Sequence, residues 1–344
     1  MTSAFHELQK QKTKVVVVGG GTGTHTLLKG LKRFHDILDL TAVVTMSDSG
    51  GSTGRLRDEF GYLPVGDVRM ALSALSADVD MHDELLRELF LYRFDKGEGL
   101  TGHNFGNLLL TALTDILKDE VAAIEAAARI LRVRGRVLPV TTDDVHLKAV
   151  YDDGTVQVGE HAIDEPDESY FSKKIIDISL TPQAYIHPKT KTALLEADVI
   201  IFGPGDLFTS ILPNCAVNGF KEVLCKSTAK VFFISNLMTK AGQTSGMDME
   251  SHLDVLVRYI GKEPDKVFVN MSPLPNDLLR KYASEHEFPV VYADDIKYAH
   301  LIVGGDYLTK EVVKKRSGDT LKRSLIRHDS HKIATAIIGM LEQC

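Results

Sequence analysis

The chain has 344 residues, of which 44% are hydrophobic and 25% are charged. This is a globular composition, and the length suits one large α/β domain or two ordinary ones. The formal net charge of −7 disfavours nucleic-acid binding, which usually requires a basic surface. No apolar run approaches the ~18–20 residues that cross a bilayer, so we predict no transmembrane segment.

The cysteines and the N-terminus point to the cytoplasm. Cys215, Cys225 and Cys344 form neither a CxxC pair nor a metal-ligand spacing, which favours reduced thiols. The first residues, MTSAFHELQKQKTK, have no apolar core of signal-peptide length. We therefore expect a cytoplasmic protein that begins with a polar segment over residues 1–13.

The first elements form a βαβ unit. The apolar run KVVVVGG (Lys14–Gly20) predicts a buried strand, and the leucines after it recur at helical spacing. The segment LTAVVTMSDSGG predicts a second strand that ends near Met46 and runs into a glycine-rich loop. A strand, a helix and a strand in succession favour a parallel sheet.

The middle of the chain predicts helices and then a hairpin. Apolar stripes and strong helix formers extend from Val68 to about Val133. The segment GRVLPVT predicts a strand, and the Asp153-Gly154 pair predicts a hairpin turn. The charged segment IDEPDESYFSKK is predicted to be an exposed excursion.

From Ile175 the alternation of strands and helices resumes. Strands are predicted at Val199–Phe202 and in AKVFFIS, DKVFVN and EFPVVYADD, followed by a C-terminal helix in HDSHKIATAIIGMLEQC. We predict a doubly wound, mainly parallel, Rossmann-like three-layer α/β fold in one domain over residues 14–344. A helical subdomain at about 68–133 and a hairpin with the excursion at about 145–174 are inserted in it.

Three predicted strands end in loops of small residues. These loops are Gly19–Gly23, Ser47–Gly54 and Gly203–Asp206. In an open parallel sheet, ligands bind outside the carboxyl ends of the strands, and glycine lets the backbone approach a bulky anion. The three loops together predict a crevice for a nucleotide or a sugar phosphate.

The familiar phosphate-binding motifs are absent from the sequence. No Gly-Lys pair is followed by Ser or Thr, which excludes the Walker-type P-loop, and the GxGxxG fingerprint fails at Thr24 and Thr26. A nicotinamide enzyme is therefore only the third choice. No Ser/His/Asp or Cys/His order in the sequence supports covalent catalysis.

Acidic residues near the predicted crevice allow two interpretations. Asp48 organises its own loop in an Asx-turn, and Asp67 caps the helix that follows it, or one or both hold a Mg²⁺ ion that bridges phosphate oxygens. Asp58 lies close to them in the sequence. The residue types alone do not decide between these alternatives.

Neutral polar residues supply further candidates. Asn104 and Asn107 are three residues apart at a predicted helix start, where capping explains one of them and a ligand contact the other. The loop SNLMTKAGQTSG offers Asn236 and Thr239 to sugar hydroxyls. Arg327 is suited to a phosphate, because its guanidinium binds in a bidentate manner.

His328 and His331 flank the start of the last helix. No third metal ligand lies near them in the sequence, so a surface or capping role is predicted for them rather than zinc binding.

Several segments together resemble the YvcK/CofD-like family. They are VVVVGGGTG, TAVVTMSDSGGSTGRLRDEFG, PVGDVRMAL, GHNFGNLLL, FGPGDLFTSILPNCAV, ISNLMTKAGQT and RHDSHKIA, in family order over nearly the whole chain. One branch of this family is 2-phospho-L-lactate transferase, which moves a phospholactyl group from a nucleotide-activated donor with the help of a divalent metal. The other branch is the gluconeogenesis factors, which bind UDP-sugars such as UDP-N-acetylglucosamine and act in cell shape and envelope precursor supply.

The SDSGGSTG loop and the RHD segment resemble the gluconeogenesis-factor branch. The resemblance implies that Thr22, Arg327 and Tyr282 contact the UDP-sugar, that a regulated enzyme or a kinase is a partner, and that the protein forms a homodimer. A metal-dependent transferase is the alternative, and a protein-interaction scaffold ranks last. The predicted ligand-binding residues are Gly20, Gly21, Thr22, Gly23, Asp48, Ser49, Gly66, Asp67, Asn104, Asn107, Gly203, Gly205, Asn236, Thr239, Tyr282 and Arg327, with Asp48 and Asp67 as the metal candidates.

Two residues depart from the family pattern. His25 follows the first glycine loop, where the family has a small apolar-leaning segment, and Asp206 stands where the family has serine. A carboxylate at position 206 repels a phosphate unless a metal or an arginine intervenes, which puts the contact of that loop in doubt.

Overall fold

The β-strands form two sheets in the computed structural model, which describes residues 11–292, 297–310 and 324–342. All pairings in the larger sheet are parallel, and those in the smaller sheet are antiparallel. The strands are β1 (Thr13–Gly19), β2 (Leu38–Val44), β3 (Arg136–Pro139), β4 (His146–Tyr151), β5 (Val156–Val158), β6 (Ile175–Thr181), β7 (Val199–Phe202), β8 (Lys230–Ile234), β9 (Lys266–Asn270) and β10 (Ile302–Gly305).

Helices connect the strands, and a π-helical turn at Leu207–Ile211 follows β7. The helices are α1 (Gly21–Leu31), α2 (Gly51–Phe60), α3 (Gly66–Leu75), α4 (Met81–Leu91), α5 (Phe105–Leu117), α6 (Glu120–Ile130), α7 (Glu160–Asp164), α8 (Pro188–Leu195), α9 (Leu212–Cys215), α10 (Phe220–Lys226), α11 (Met249–Ile260), α12 (Asn276–Ser284) and α13 (Ser330–Leu341).

The order of the larger sheet is β10-β9-β8-β7-β1-β2-β3. The chain runs outwards from β1 through β2 to β3, and then returns to β7 on the other side of β1 and runs outwards again. The strand order therefore reverses between β1 and β7, which is the topological switch point of a doubly wound sheet. The predicted fold class is confirmed.

Both faces of the larger sheet are covered. In β1, Val15 and Val17 face one hydrophobic cluster, whereas Val16 and Val18 face the other, and all four are buried. The first cluster packs against α1, α3 and α13, and the second against α10, α11 and the smaller sheet. This explains the uninterrupted apolar run in the sequence, because a strand buried on both faces has no polar side.

The first and last described helices are in direct contact. A Cβ added at Gly30 of α1 would lie 1.9 Å from the carbonyl oxygen of Ser330, at the start of α13. Any side chain larger than glycine would therefore push α13 away from α1. The predicted C-terminal helix is confirmed, and Asp329 caps it by accepting hydrogen bonds from the N–H groups of His331 and Lys332.

The hairpin at Asp153-Gly154 is confirmed, since β4 pairs with β5 in antiparallel fashion. Helices α3 to α6 also occupy the segment from Val68 to about Val133, as predicted, with a loop at residues 92–104 between α4 and α5. The strand predicted in EFPVVYADD is wrong over its described residues, where Pro289 forms an isolated bridge with Met238. Proline has no N–H for a ladder, so the chain does not continue as a strand. Residues 293–296 lie outside the described residues.

The edge strand β10 (Ile302–Gly305) is not predicted from the sequence, because its four residues IVGG lack a clear pattern. The exposed excursion is also only partly correct. Ile163 is fully buried, and Asp164 turns towards the interior rather than towards solvent.

Cys215 is buried and Cys225 is exposed, and both are free thiols, as predicted. Cys344 lies outside the described residues. Among the helices that the structure describes, none combines the length and the apolar character that a membrane span requires.

Candidate functional site

A crevice of about 2000 Å³ opens at the carboxyl ends of the strands, at the switch point between β1 and β7. Of the predicted ligand-binding residues, Ser49 and Gly203 do not line it. Those that do are Gly20, Gly21, Thr22, Gly23, Asp48, Gly66, Asp67, Asn104, Asn107, Gly205, Asn236, Thr239, Tyr282 and Arg327. The structure thus brings together residues as far apart in the sequence as Gly20 and Arg327.

The first glycine loop is glycine-rich because other chain segments approach it closely. A Cβ added at Gly20 would lie 2.2 Å from Asp67 Oδ2, and one at Gly23 would lie 2.3 Å from the carbonyl oxygen of Pro204. Gly21 also has a positive φ of 64°. The loop after β1 is therefore held between α3 and the loop after β7, with Thr22 on the first turn of α1 at the crevice wall.

The carboxylate of Asp67, a residue of α3, lies at the N-terminus of α1. Its Oδ1 accepts a hydrogen bond of 2.7 Å from the N–H of Gly21, so the prediction that Asp67 caps its own helix is wrong. The carboxylate reaches the neighbouring helix because Asp67 lies inside α3, beyond the cap position at Val65. The remaining N–H groups of the first turn of α1 have no partner within the helix.

Asp48 adopts the predicted Asx-turn. Its Oδ1 accepts a hydrogen bond of 2.9 Å from the N–H of Gly50, and its Oδ2 lies 2.1 Å from where a Cβ at Gly66 would be. Burial raises the pKa of Asp48, and burial together with the charge of Asp48 raises the pKa of Asp67 to about 7. Two carboxylates that share one pocket disfavour each other's ionised form.

A third carboxylate, Glu160 at the start of α7, lies beside this pair and lines the crevice. Burial and the charge of Asp48 raise its pKa well above the usual value. The N–H of Ser49 lies 3.5 Å from Glu160 Oε2, and the Oγ of Ser49 accepts a hydrogen bond from His161. Ser49 therefore ties the loop after β2 to α7, which explains why it does not line the crevice.

Lys240, in the loop after β8, stands between two carboxylates on the opposite wall. Its Nζ lies 2.5 Å from Asp164 Oδ1 and 2.7 Å from Asp206 Oδ2. Burial lowers the pKa of Lys240, but the two negative charges outweigh burial and raise the pKa above its usual value. Lys240 is therefore a permanent cation. Lys240 supplies the positive charge beside Asp206, in place of the metal or arginine that the sequence analysis considers there.

Asp164 is the most heavily bonded member of this cluster. Its Oδ1 also accepts hydrogen bonds from Thr209 Oγ1 at 2.8 Å and Gln243 Nε2 at 3.3 Å. Burial raises the pKa of Asp164, but Lys240 and these donors reverse the effect and lower it. Three segments, namely α7, the π-helical turn and the loop after β8, thus meet at one carboxylate oxygen.

Gly203 belongs to the turn rather than to the crevice wall. It has a positive φ of 79°, and a Cβ added there would lie 3.1 Å from the carbonyl oxygen of Ile234. Gly205, two residues later, reaches the crevice and accepts a hydrogen bond of 2.7 Å from Asn236 Nδ2. Asn236 therefore fixes the loop after β7 to the loop after β8.

The two asparagines of GHNFGN are held by the protein itself. Asn104 caps α5 by accepting from the N–H groups of Gly106 and Asn107. Asn107 Oδ1 accepts a hydrogen bond of 2.8 Å from Arg69 Nε, and its Nδ2 lies 3.3 Å from the hydroxyl oxygens of Ser52 and Thr53. Their amides join α2, α3 and α5 beneath the crevice.

Thr239 and Tyr282 also bond to backbone. Thr239 Oγ1 accepts a hydrogen bond of 2.9 Å from the N–H of Phe288. The hydroxyl of Tyr282 accepts hydrogen bonds from Leu325 at 2.7 Å and Ile326 at 3.2 Å. Tyr282 therefore holds the segment that carries Arg327, whose Nε donates to the carbonyl oxygen of Ser324 at the crevice rim.

His328 is buried, with 7% of its surface exposed, so the predicted surface or capping role is wrong. Asp329 performs the capping, and the ring of His328 points inward. Burial lowers the pKa of His328 to about 4, so the ring is neutral near pH 7. His331 is exposed, and no group of three or more metal-ligating residues occurs within the part of the chain that the structure describes.

Lys240, Glu160, Asp164 and Thr209 are crevice residues that are not predicted from the sequence. Asp206 could have indicated Lys240, because a carboxylate in a phosphate-suited loop requires a cation nearby. Lys240 lies after the strand next to that loop, in the segment SNLMTKAGQT. No sequence pattern marks Glu160 or Asp164, since α7 reaches the crevice only through the packing of the smaller sheet.

Comparisons with known proteins give the family. The family described as 2-phospho-L-lactate transferase CofD matches residues 15–303. The chain belongs to this family. It is 40% identical to the gluconeogenesis factor of Bacillus subtilis (strain 168) over 336 residues, which cover 97% of this chain and 99% of that protein.

Two further relatives agree with this assignment. The gluconeogenesis factor of Halalkalibacterium halodurans is 39% identical over 337 residues, covering 95% of this chain and 96% of that protein. A crystal structure of a protein from Bacillus halodurans superimposes with a TM-score of 0.84 at 37% identity, covering 95% of this chain and 100% of that chain. The chain is therefore similar to gluconeogenesis factors over nearly its full length.

Proposed function

We propose that this protein binds a UDP-sugar of the UDP-N-acetylglucosamine type and acts as a cytoplasmic regulator of envelope precursor supply and cell shape during gluconeogenic growth. The observation that carries the proposal is the meeting of the loops after β1, β7 and β8 at the switch point, in one crevice with Arg327. A diphosphate is the part of a nucleotide sugar that glycine loops, a helix N-terminus and a guanidinium are suited to bind.

The size and lining of the crevice support a large polar ligand. Its volume of about 2000 Å³ exceeds that of ordinary small-molecule pockets, which is about 300–1,000 Å³. Thr22 on the first turn of α1 and Arg327 at the rim line the same space, as the family resemblance implies for the two ligand contacts. The gluconeogenesis factors to which the chain is similar support the physiological part of the proposal.

Titration calorimetry with UDP-N-acetylglucosamine, with and without Mg²⁺, tests the proposal. We expect saturable binding, and Arg327→Ala should weaken it by about 10- to 100-fold, because a charge-assisted hydrogen bond is lost. Arg136→Ala is the matched control. Arg136 is the first residue of β3, at the end of the strand away from the crevice, and it pairs there with Asp39. Absence of heat at millimolar ligand contradicts the proposal.

The acidic pair Asp48 and Asp67 favours a second candidate, a metal-dependent transferase of a nucleotide-activated phosphoester. The family is described by such a transferase. Burial raises the pKa of both carboxylates, and the charge of Asp48 adds to the shift of Asp67. Such a pair is a donor set that a hard divalent cation stabilises, with phosphate oxygens and water as the remaining ligands. Mg²⁺ held by Asp48 and Asp67 would neutralise charge on the phosphates.

In this candidate function Asp67 also orients the N-terminus of α1, and Lys240 keeps the opposite wall from repelling the phosphates. The distinguishing experiment is calorimetry with Asp48→Asn, in which the amide oxygen still accepts from Gly50. If this variant binds Mg²⁺ and the nucleotide as the wild type does, the transferase candidate loses its support. Regulated enzymes or kinases as partners, and a homodimer, are proposals that rest on the family resemblance.

A further inference from the structure

The crevice is lined by more acidic groups than a site for a polyanion would tolerate unaided. Among its carboxylates are Asp48, Asp67, Glu160, Asp164 and Asp206. Like charges in a partly desolvated site repel by several kcal/mol, so an anionic ligand requires compensating cations close to its phosphates. The position of each cation in the crevice therefore decides where a phosphate can lie.

Lys240 lies on the wall where two phosphate-suited loops meet. Its ammonium is 2.7 Å from Asp206, which directly follows Gly205. A Cβ added at Gly205 would lie 3.5 Å from the carbonyl oxygen of Gly20, so the loop after β7 is in contact with the first glycine loop. The ammonium is thus adjacent to the junction of these two loops.

The geometry of the ammonium leaves a donor for a ligand. A lysine ammonium has three N–H donors. Within the described residues, its hydrogen-bond acceptors are Asp164 and Asp206, which use two of the three. The side chain of Lys240 is 23% exposed and lines the crevice, so the donor that the two carboxylates leave unused belongs to a group on the crevice wall.

We propose that Lys240 is a direct ligand-binding residue, whose third N–H donates to a phosphate oxygen of the diphosphate. This inference rests on the proposed function, because it names the residue that contacts the anionic part of the ligand. Asp164 and Asp206 act as positioning residues, since they hold the ammonium at the junction of the loops. The acidic residue at position 206 is therefore compatible with phosphate binding.

A charge-neutral double substitution separates direct contact from general electrostatics. Lys240→Met together with Asp206→Asn removes one positive and one negative charge, so the net charge of the crevice does not change. Asp164 keeps its hydrogen bonds from Thr209 and Gln243. The single variant Asp206→Asn retains the lysine, and Lys29→Met removes a different lysine that lines the crevice.

Calorimetry is carried out with two probes, UDP-N-acetylglucosamine and inorganic pyrophosphate. We expect Lys29→Met to bind both probes within about threefold of the wild type, because an exposed single charge contributes little. Asp206→Asn keeps an amide oxygen that accepts from Lys240 and removes one negative charge from the crevice wall, so it should bind both probes as tightly as the wild type or more tightly. The double variant should bind both probes about tenfold more weakly or worse, since a charge-assisted hydrogen bond is lost. A double variant that binds as Asp206→Asn does would overturn the proposal.

The two probes also distinguish the inference from the proposed function. If the wild type binds pyrophosphate but not the UDP-sugar, and the double variant loses pyrophosphate, the UDP-sugar function fails and the role of Lys240 stands. If the wild type binds neither probe, both are overturned.

Circular dichroism verifies that each variant is folded. If the double variant Lys240→Met with Asp206→Asn is not folded, Lys240→Gln with Asp206→Asn replaces it. Glutamine is one bond shorter than lysine and uncharged, so the same loss of about tenfold is expected. Binding equal to that of Asp206→Asn contradicts the inference in this variant as well.

Discussion

Two pairs of carboxylates line the crevice, and they differ in what lies between them. Asp164 and Asp206 have the ammonium of Lys240 between them, at 2.5 and 2.7 Å. No lysine or arginine nitrogen of the described residues lies within salt-bridge distance of Asp48 or Asp67. Arg69 acts from farther away to lower the pKa of both, but burial and the charge of Asp48 raise the pKa of Asp67 to about 7. The protein compensates one wall of the crevice with its own cation and leaves the other wall acidic.

The wall with Asp164 and Asp206 and the wall with Asp48 and Asp67 therefore contribute differently to stability and binding. A carboxylate whose pKa is lowered by a cation stabilises the folded state when it is ionised, whereas one whose pKa is raised destabilises it. Neutral substitution of Asp164, whose pKa is lowered, and of Asp67, whose pKa is raised, should therefore change the free energy of unfolding in opposite directions. The wall with Lys240 is built for structure and anion contact, and the other is free to accept a cation.

The largest effect is expected from Asp164→Asn. The substitution weakens the hydrogen bonds from Lys240, Thr209 and Gln243 to one oxygen, so the free energy of unfolding should fall by about 2–3 kcal/mol. Urea unfolding near pH 7.5 measures it, with Asp58→Asn on the exposed surface of α2 as the control. Equal stability of the two variants would show that the Lys240 cluster carries no structural role.

The buried His328 allows a comparison in which no carboxylate is changed. His328 has a folded pKa of about 4, below its ordinary 6.5. The unfolded state therefore binds more protons between these values, and stability falls as the pH falls through this window.

Between about pH 7.5 and about pH 5, His328 should lower the free energy of unfolding by about 2 kcal/mol. The measurement is urea unfolding at both pH values for the wild type and for His328→Asn, which should lack this part of the pH dependence. The exposed His331→Asn is the control and should retain it. Identical pH dependence in His328→Asn and the wild type would contradict the prediction.

Asp67→Asn should have the opposite sign from Asp164→Asn. Because the folded pKa of Asp67 is raised from 3.8 to about 7, ionisation costs stability as the pH rises through that range. At about pH 8 without divalent metal, the neutral amide should raise the free energy of unfolding by about 1–2 kcal/mol, less than the full shift because crevice water screens the charges. A destabilised Asp67→Asn protein would remove the contrast between the two walls.

The smallest effect is expected from Tyr282→Phe. Leu325 and Ile326 lose an acceptor for their N–H groups, which should cost about 1 kcal/mol of unfolding free energy. Calorimetry should also show about fivefold weaker UDP-sugar binding, because the segment with Arg327 is less well held. Tyr62→Phe, which removes an exposed hydrogen bond to Asp115, should change neither quantity. If both tyrosine variants behave alike, Tyr282 does not position Arg327.

Much of the fold follows from local patterns. The valine run of β1 and the Asp153-Gly154 turn identify their elements, because burial on both faces and positive φ values impose specific residue types. The strand β10 and the false strand at Pro289 are set by pairing partners distant in the sequence, which local pattern does not contain. The glycine loops are also predictable, because close approach of the backbone of other segments excludes side chains.

The electrostatics of the site were not predictable from the sequence. The sequence allows Asp67 to cap its own helix or to hold a metal ion, but its carboxylate accepts a hydrogen bond from α1, because the packing of α3 against α1 decides which N–H group is nearest. Lys240 and Asp164 are 76 residues apart and meet only because the smaller sheet carries α7 over the crevice. Sequence patterns identify which loops surround a site, whereas tertiary packing decides which charges are paired.

The contact between Gly30 and Ser330 has a consequence for biosynthesis. α1 leaves the ribosome early, whereas α13 follows it 300 residues later, from Gly30 to Ser330. Until then, Leu27, Leu28 and Leu31 lack the apolar cover that Ile333 and Ile337 provide in the finished protein. The growing chain therefore exposes an apolar surface of the kind that promotes aggregation before folding is complete. Arg327 arrives with the same final segment, so the crevice becomes complete only when that surface is closed.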